Sequence, residues 1–298
     1  MIKASYFKKL EKCALCPNNC GVDRNTDLGK CGCSAALKLA KAYPHFWEEP
    51  VISGVNGSGT VFFSGCTLDC IFCQNYTISR QCFGKEISPR RLSEIFKELE
   101  DKNVHNINLV TAAPHTYCII EALNIYRPNI PIVFNSSGYE SVETLKLLEN
   151  YIDIYLPDFK YYDDDIAYKY SGCSHYRETA KLAISEMIRQ TGKPIIEDGI
   201  MKKGVIVRHM ILPDNTSDSV KVIDEIARFK SSVLVSIMSQ YTPVKTDNAY
   251  RELNRKITKL EYKRILNYMA AKGITDGFYQ EMNSAENIYI PDFDLEGV

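Results

Sequence analysis

After residue 59 the chain reads as strand then helix, at least six times over, and this alternation limits the fold more than any other feature. Strands that each return through a helix build a parallel sheet with right-handed crossovers. The apolar runs Thr60–Phe63, Asn106–Val110, Ile132–Phe134, Ile152–Leu156, Val205–Leu212 and Val233–Met238 predict the strands. Stretches of helical spacing over Ser88–Lys102, Tyr117–Tyr126, Val142–Leu148, Thr179–Arg189, Val220–Phe229 and Leu260–Ala271 predict the helices. Ser88 followed by Pro89 is a helix start, with an oxygen to cap and a ring that needs no donor. Six such units suit an α/β fold built as an open or partial (β/α)6 barrel. A doubly wound open sheet is the competing arrangement.

In sheets of either kind, ligands bind at the C-terminal ends of the strands. The loops to inspect are therefore Ser64 onward, Thr111–His115, Asn135–Tyr139, Pro157–Lys160, Pro213–Asn215 and Ser239–Tyr241. Residues 1–50 form a cysteine-rich N-terminal extension, with a short helix expected over Ser34–Ala42 and breaks at Pro44 and Pro50. Residues 51–245 form the expected partial barrel, and residues 246–298 a C-terminal helical cap in which no motif is legible.

Composition narrows the function. With 45% apolar and 24% charged residues the chain is of ordinary globular type. Its 36 Lys and Arg against 37 Asp and Glu give a net charge of −1, which supplies no reason to invoke nucleic acid or an anionic membrane as partner. No apolar run approaches the ~18 residues that span a bilayer. The lysines near Met1 are followed by no apolar stretch, so the expected compartment is the cytoplasm.

Eleven cysteines are unusual for such a chain. Thiols stay reduced in the cytosol, and grouped thiolates there usually hold metal. Cys66, Cys70 and Cys73 follow the first strand at C-x3-C-x2-C spacing. Three thiolates bind three irons of a cubane [4Fe–4S] cluster and leave the fourth iron open to a ligand. An electron carrier closes that position with a fourth cysteine. Here the next one, Cys82, lies nine residues on and precedes Phe83. A zinc knuckle with a borrowed ligand, or three reduced core thiols, are the blander readings. Gly65 suits a tight backbone turn beside the cluster. Phe72 reads equally as a stacking surface for a flat ligand or as a core aromatic.

Cys66-x3-Cys70-x2-Cys73, with an aromatic before its last cysteine, resembles the radical SAM superfamily. The longer run from Ser64 to Ser79 is similar to the activating-enzyme branch, and more narrowly to uncharacterised homologues of pyruvate formate-lyase activating enzyme. The resemblance covers about residues 10–245. It implies that S-adenosylmethionine chelates the open iron, that one electron cleaves its sulfonium, and that a 5′-deoxyadenosyl radical takes hydrogen from a substrate. That substrate is a protein, such as a glycyl radical enzyme, or a small molecule. A low-potential donor such as a flavodoxin or ferredoxin is implied as partner.

The same resemblance implies a Gly-Gly-Glu-Pro-like motif after the second strand, where this chain has Thr111-Ala112-Ala113-Pro114-His115. Only the proline matches, although Ala112 and Ala113 still leave backbone free to approach the methionine ammonium. His115 then reads either as facing substrate or as an ordinary residue at a helix start. Asp158-Phe159-Lys160 resembles the Asp-x-Lys of activases. Residues two apart on extended backbone point the same way, which suits a zwitterionic methionine, and a solvent-facing ion pair is the plainer alternative. Arg208 is a charge inside an apolar strand and needs a partner, near the cofactor or across the barrel. Asn135 and Ser137, with Ser136 and Gly138, end the third strand and suit a ribose or a turn. Gln240 and Tyr241 stand where activases have Tyr-His.

A second thiol group, Cys13-x2-Cys16-x3-Cys20-x10-Cys31-x-Cys33, precedes the barrel. Turn residues separate its first members, as a metal loop requires. Cys13, Cys16, Cys20 and Cys31 would close a zinc site or a second iron–sulfur cluster, with Cys33 spare or exchanging with Cys31. The alternatives are reduced thiols packing the barrel entrance and, for the whole chain, a metal-binding electron-transfer protein with no chemistry of its own.

Overall fold

The computed structural model describes residues 8–243, 248–280 and 291–298. Its central sheet is built from β1 (Leu37–His45), β2 (Ser58–Phe63), β3 (Lys85–Ile87), β4 (Ile107–Val110), β5 (Ile132–Ser136), β6 (Ile154–Pro157), β7 (Ile195–Glu197), β8 (Ile200–Met210), β9 (Leu234–Met238) and β10 (Gly277–Tyr279). The spatial order is β10-β9-β8-β6-β5-β4-β2-β1-β3, with β7 on β8. From β2 through β4, β5, β6, β8, β9 and β10 every pairing is parallel and follows chain order. A doubly wound sheet reverses its strand order partway. This one does not, so the arrangement is the partial barrel.

Helices return the chain between these strands because each carries an apolar stripe. Pro89–Glu100 buries Leu92, Ile95, Phe96 and Leu99, and its start is as expected, with the Ser88 hydroxyl accepting from the Arg91 N–H. Thr116–Ile125, Val142–Leu147, Tyr176–Thr191, Thr216–Ala227 and Lys259–Ala271 occupy the other expected stretches within a few residues. Strands β2, β4, β5 and β6 are buried along their whole length, as strands covered on both faces must be.

The structure departs from these expectations in three places. The helix expected over Ser34–Ala42 does not form; Leu37–His45 is β1, antiparallel to both β2 and β3. Burial of Leu37, Leu39, Ala40 and Ala42 between those partners outweighs a leucine- and alanine-rich helix propensity. Strand β8 begins at Ile200 rather than Val205, because its first residues form a hairpin with β7. Asp198-Gly199, both at positive φ, is the hairpin signal the sequence did carry. A helix over Asp164–Ser171, capped by Asp163, was also missed.

Residues after 245 reach both ends of the sheet. β10 adds to β9 in parallel, and Leu295 and Glu296 hydrogen-bond Ala40 and Ala42 of β1. No helix of the described residues is long and apolar enough to cross a membrane.

Candidate active site

The loop that leaves β2 carries Cys66, Cys70 and Cys73 to one wall of a cavity at the strand ends. Gly65 makes the turn possible. Its φ is +83°, and a Cβ there would lie 2.1 Å from the Cys33 sulfur and 2.8 Å from the Cys31 carbonyl oxygen. Each thiol receives one hydrogen bond: Cys66 from the Leu68 N–H at 3.5 Å, Cys70 from the Ser171 hydroxyl at 3.0 Å, and Cys73 from the Ser79 hydroxyl at 3.2 Å. Burial pushes the Cys66 thiol far up and the Cys70 thiol to about 11, the latter against the pull of Lys160. A positively charged metal centre would favour their thiolates.

Among the described residues no three Cys, His, Asp or Glu side chains gather as ligands of a single ion. A cubane takes each thiolate on a different iron, so its ligands ring a cavity rather than meet at a point. The three thiols, each with a donor to its sulfur, fit that requirement.

Opposite them the strand ends supply a buried charged network. Asp158 follows β6 and bridges Lys160 at 2.5 Å and Arg208 Nε at 3.0 Å. Burial works against its charge, yet Arg208 and Lys160 hold its carboxyl below the usual range. Arg208 also donates to Asn135 Oδ1 at 2.6 Å and to Glu48 at 3.4 Å. Asp158 and Lys160 therefore point the same way, as expected of residues two apart, but they face the cavity and not solvent. Gly138 lets the β5 loop lie against them, since a Cβ there would stand 2.0 Å from the Asp158 carbonyl oxygen.

Backbone strain marks the second strand end. Thr111 holds φ at +62°, a conformation that a β-branched residue rarely adopts, and it lines the cavity with Ala112 and Ala113. Asn135 and Ser137 line it as well. Phe72 is buried, meets Tyr170 and Tyr241 edge-on, and lines a second chamber of about 230 Å³ beside the first. Gln240 lines that chamber, whereas Tyr241 is buried and donates to the Leu253 carbonyl. His115 points away from the cavity: its Nε2 sits 2.9 Å from the Ser64 carbonyl and 3.8 Å from the Cys33 sulfur, and burial lowers its pKa to about 4. The substrate-facing alternative for His115 is thereby corrected.

Two cavity residues were not legible as such. Glu48 accepts from Asn108, Asn135 and Arg208, and its signal was a charge in the aromatic run Phe46-Trp47 ahead of Pro50. Glu140 is held by the Ser136 hydroxyl at 2.9 Å, and burial pushes its carboxyl up to about 7. Nothing in its sequence neighbourhood distinguishes it from a loop acid.

The N-terminal thiols form a separate layer behind the cysteine loop. The Cys66 N–H donates to the Cys31 carbonyl at 3.2 Å, and Asn18 Nδ2 to the Thr67 carbonyl at 2.6 Å. Arg24, 1% exposed, donates to the carbonyls of Cys33, Ser34 and Pro114 and lies 4.0 Å from the Cys13 sulfur. Burial opposes its charge, and Cys31, Cys33 and Cys13 favour it.

A family model described as the radical SAM superfamily matches residues 60–226. An uncharacterized protein of Methanocaldococcus jannaschii is 30% identical over 276 residues, covering 89% of this chain and 76% of its own. Among solved structures, Streptococcus suis SuiB bound to S-adenosylmethionine aligns with a TM-score of 0.50 at 12% identity, over 72% of this chain and 48% of SuiB. Methylornithine synthase aligns at a TM-score of 0.49 and 12% identity, over 78% and 71%. This chain thus spans about half the length of SuiB. The match to the family covers more than half of the 298 residues and runs from the strand that delivers Cys66, Cys70 and Cys73 through Arg208; on that ground the protein belongs to the radical SAM superfamily.

Proposed function

We propose that this protein is an enzyme that cleaves S-adenosylmethionine reductively at a [4Fe–4S] cluster held by Cys66, Cys70 and Cys73, and uses the product to take hydrogen from a protein or small-molecule substrate. The observation that carries this reading is the placement of three thiols around one cavity, facing the Asp158, Lys160, Arg208 and Asn135 network. When bound, the cluster supplies an open iron and one electron at low potential. The protein's own residues do the rest. Lys160 and Arg208 offer positive charge to the cofactor's carboxylate, and the small side chains of Ala112 and Ala113 leave the backbone open to approach by its ammonium. Asn135 and Ser137 stand where ribose hydroxyls would need partners.

The activase role rests on resemblance alone, and Thr111-Ala112-Ala113 in place of the expected glycines and acid argues against a standard glycyl-radical activase. A flavodoxin or ferredoxin fits as electron donor. At the N-terminus, buried Arg24 among Cys13, Cys31 and Cys33 supports metal binding by the Cys13, Cys16, Cys20 and Cys31 set, because a buried guanidinium is balanced well by thiolates on a metal. A second iron–sulfur cluster, which takes each thiolate on a different iron, suits the set better than zinc, for which no three of these side chains gather at one point among the described residues.

Anaerobic reconstitution with iron and sulfide, reduction by dithionite and assay for 5′-deoxyadenosine test the main reading. Product is expected from the natural chain and at least about a hundredfold less from Cys70→Ala. No product from the natural chain, or undiminished product from the variant, would favour the electron-transfer alternative.

A further inference from the structure

The chamber of about 230 Å³ beside the cysteine loop lies where the sheet curls round on itself. β1 and β9 stand near opposite ends of the strand order, yet His45 of β1 and Met238 of β9 both line it, together with Cys70 and Cys73. It is therefore the lumen of the partial barrel. Its charged lining residues cancel: Asp158 pairs with Lys160 and Arg208, and Glu48 pairs with Arg208. Phe62, Phe72, Val110 and Met210 make the rest of the wall largely apolar.

Two polar side chains of this wall are left over. Tyr43 and His45, two apart on β1, point the same way, and the Tyr43 hydroxyl meets His45 Nδ1 at 2.6 Å. Burial pushes the Tyr43 hydroxyl up to about 12 and the His45 imidazole down to about 4, so both are neutral near neutral pH. A neutral imidazole nitrogen is a better acceptor than a phenol oxygen, so the hydroxyl donates and Nε2 carries the ring proton. His45 is 8% exposed, and its Nε2 has no hydrogen-bond partner among the described residues. His115 Nδ1 and His209 Nε2 are also unpartnered but are sealed from solvent, whereas His45 Nε2 is not. The second group is Asn75, on the cysteine-loop side of the chamber. It stands at the cap position of Tyr76–Ser79, where its side chain caps nothing and has no other hydrogen bond among the described residues.

A largely apolar cavity with a few convergent polar groups is what an oriented ligand requires. An N–H donor at His45 calls for an oxygen acceptor, and a wall whose charges already cancel favours an uncharged one. An amide both accepts and donates, which also complements the Asn75 side chain. We propose that this chamber is the substrate subsite, that it takes an uncharged amide group of the substrate, and that His45 Nε2–H donates to the amide oxygen while Asn75 Oδ1 accepts from the amide N–H. Tyr43 is a positioning residue that fixes the His45 tautomer; its own ring is stacked on Phe62, with Lys41 Nζ 4.9 Å from its centroid. The inference deepens the proposed enzymatic reading and rests on it.

Trp47 is the single tryptophan of the chain and lines the same chamber, so its emission reports on occupancy. The reconstituted full-length protein is titrated with N-propylacetamide, and with butylammonium and butyrate as charged controls. A saturable change with the amide is expected at concentrations where neither control gives one. His45→Phe should weaken amide binding about tenfold, the worth of one hydrogen bond. His45→Gln, whose side-chain N–H can replace Nε2–H, should stay within about threefold of the natural chain, a rescue that a merely structural role would not show. Asn75→Ala removes no contact of the fold and should weaken binding several-fold, so it serves as the second variant should His45→Phe not fold. Saturating S-adenosylmethionine should leave the amide's affinity unchanged within about twofold. No saturable response to the amide, an equal response to either control, unaltered affinity in His45→Phe or in Asn75→Ala, a loss in His45→Gln as large as in His45→Phe, or displacement of the amide by S-adenosylmethionine would overturn the proposal. Formation of 5′-deoxyadenosine by the same preparation reports separately on the cofactor chemistry, so either reading can fail without the other.

Discussion

The two groups of cysteines differ in what surrounds them. Cys66, Cys70 and Cys73 edge an open cavity, and the charges opposite them are paired carboxylates and cations at strand ends. Cys13, Cys31 and Cys33 are buried in a layer whose charged residue, Arg24, is bonded to carbonyls. The first group lines a cavity with room for a ligand; of the second, only Cys16 and Cys20 are partly exposed. On the proposed reading the thiols on the cavity hold the cluster that meets the cofactor, and those beside Arg24 belong to the layer behind it. Three experiments probe this contrast.

Arg24→Ala should have the largest effect. It strips donors from the carbonyls of Cys33, Ser34 and Pro114, which join the N-terminal layer to the loop after β4. A loss of about 3–5 kcal/mol in stability is expected from denaturant unfolding. Arg24→Lys should rescue little of it, since an ammonium cannot reproduce the fork. A variant as stable as the natural chain would mean that the layer is held by other contacts and that the contrast is wrong.

Glu140→Gln probes the cavity. Burial raises the Glu140 carboxyl from 4.5 to about 7 in the fold. Between those values the folded state holds a proton that the unfolded state has lost, so stability falls as pH rises through this window and levels off above about 7. The variant should match the natural chain near pH 4 and exceed it by up to about 3 kcal/mol near pH 8. Melting curves at the two pH values measure the difference, and equal gains at both would show that Glu140 is not buried charged.

Ser171→Ala should have the smallest effect on the fold and the most specific one on chemistry. Ser171 donates to Cys70 and also meets the Tyr161 hydroxyl at 2.6 Å. Its loss should cost about 1 kcal/mol in stability. In the reconstituted protein it should lower the cluster potential, because hydrogen bonds to the sulfurs favour the reduced, more negative state. A redox titration followed spectroscopically would detect this, and an unmoved potential would restrict Ser171 to its bond with Tyr161.

Much of the architecture was legible because burial on both faces leaves no freedom in residue type: β2, β4, β5 and β6 are continuous apolar runs. The misread stretch was Leu37–His45, where side chains compatible with a helix take strand conformation because β2 and β3 flank them. Among site residues, spacing alone put Cys66, Cys70 and Cys73 together, and Asp158 with Lys160. Glu48 carried too little local signal, since its role depends on β4, β5 and β8, which lie far away in the chain.

Local pattern therefore determined the alternation of strands and helices, the cysteine loop and the end of the sheet where a ligand would sit, because each follows from periodicity or from ligand spacing within a few residues. Only the tertiary structure decided the order of the strands, which charges meet across the strand ends, and that His115 faces the N-terminal layer. Those outcomes depend on distance and desolvation between segments remote in sequence, and no short stretch of the chain encodes them by itself.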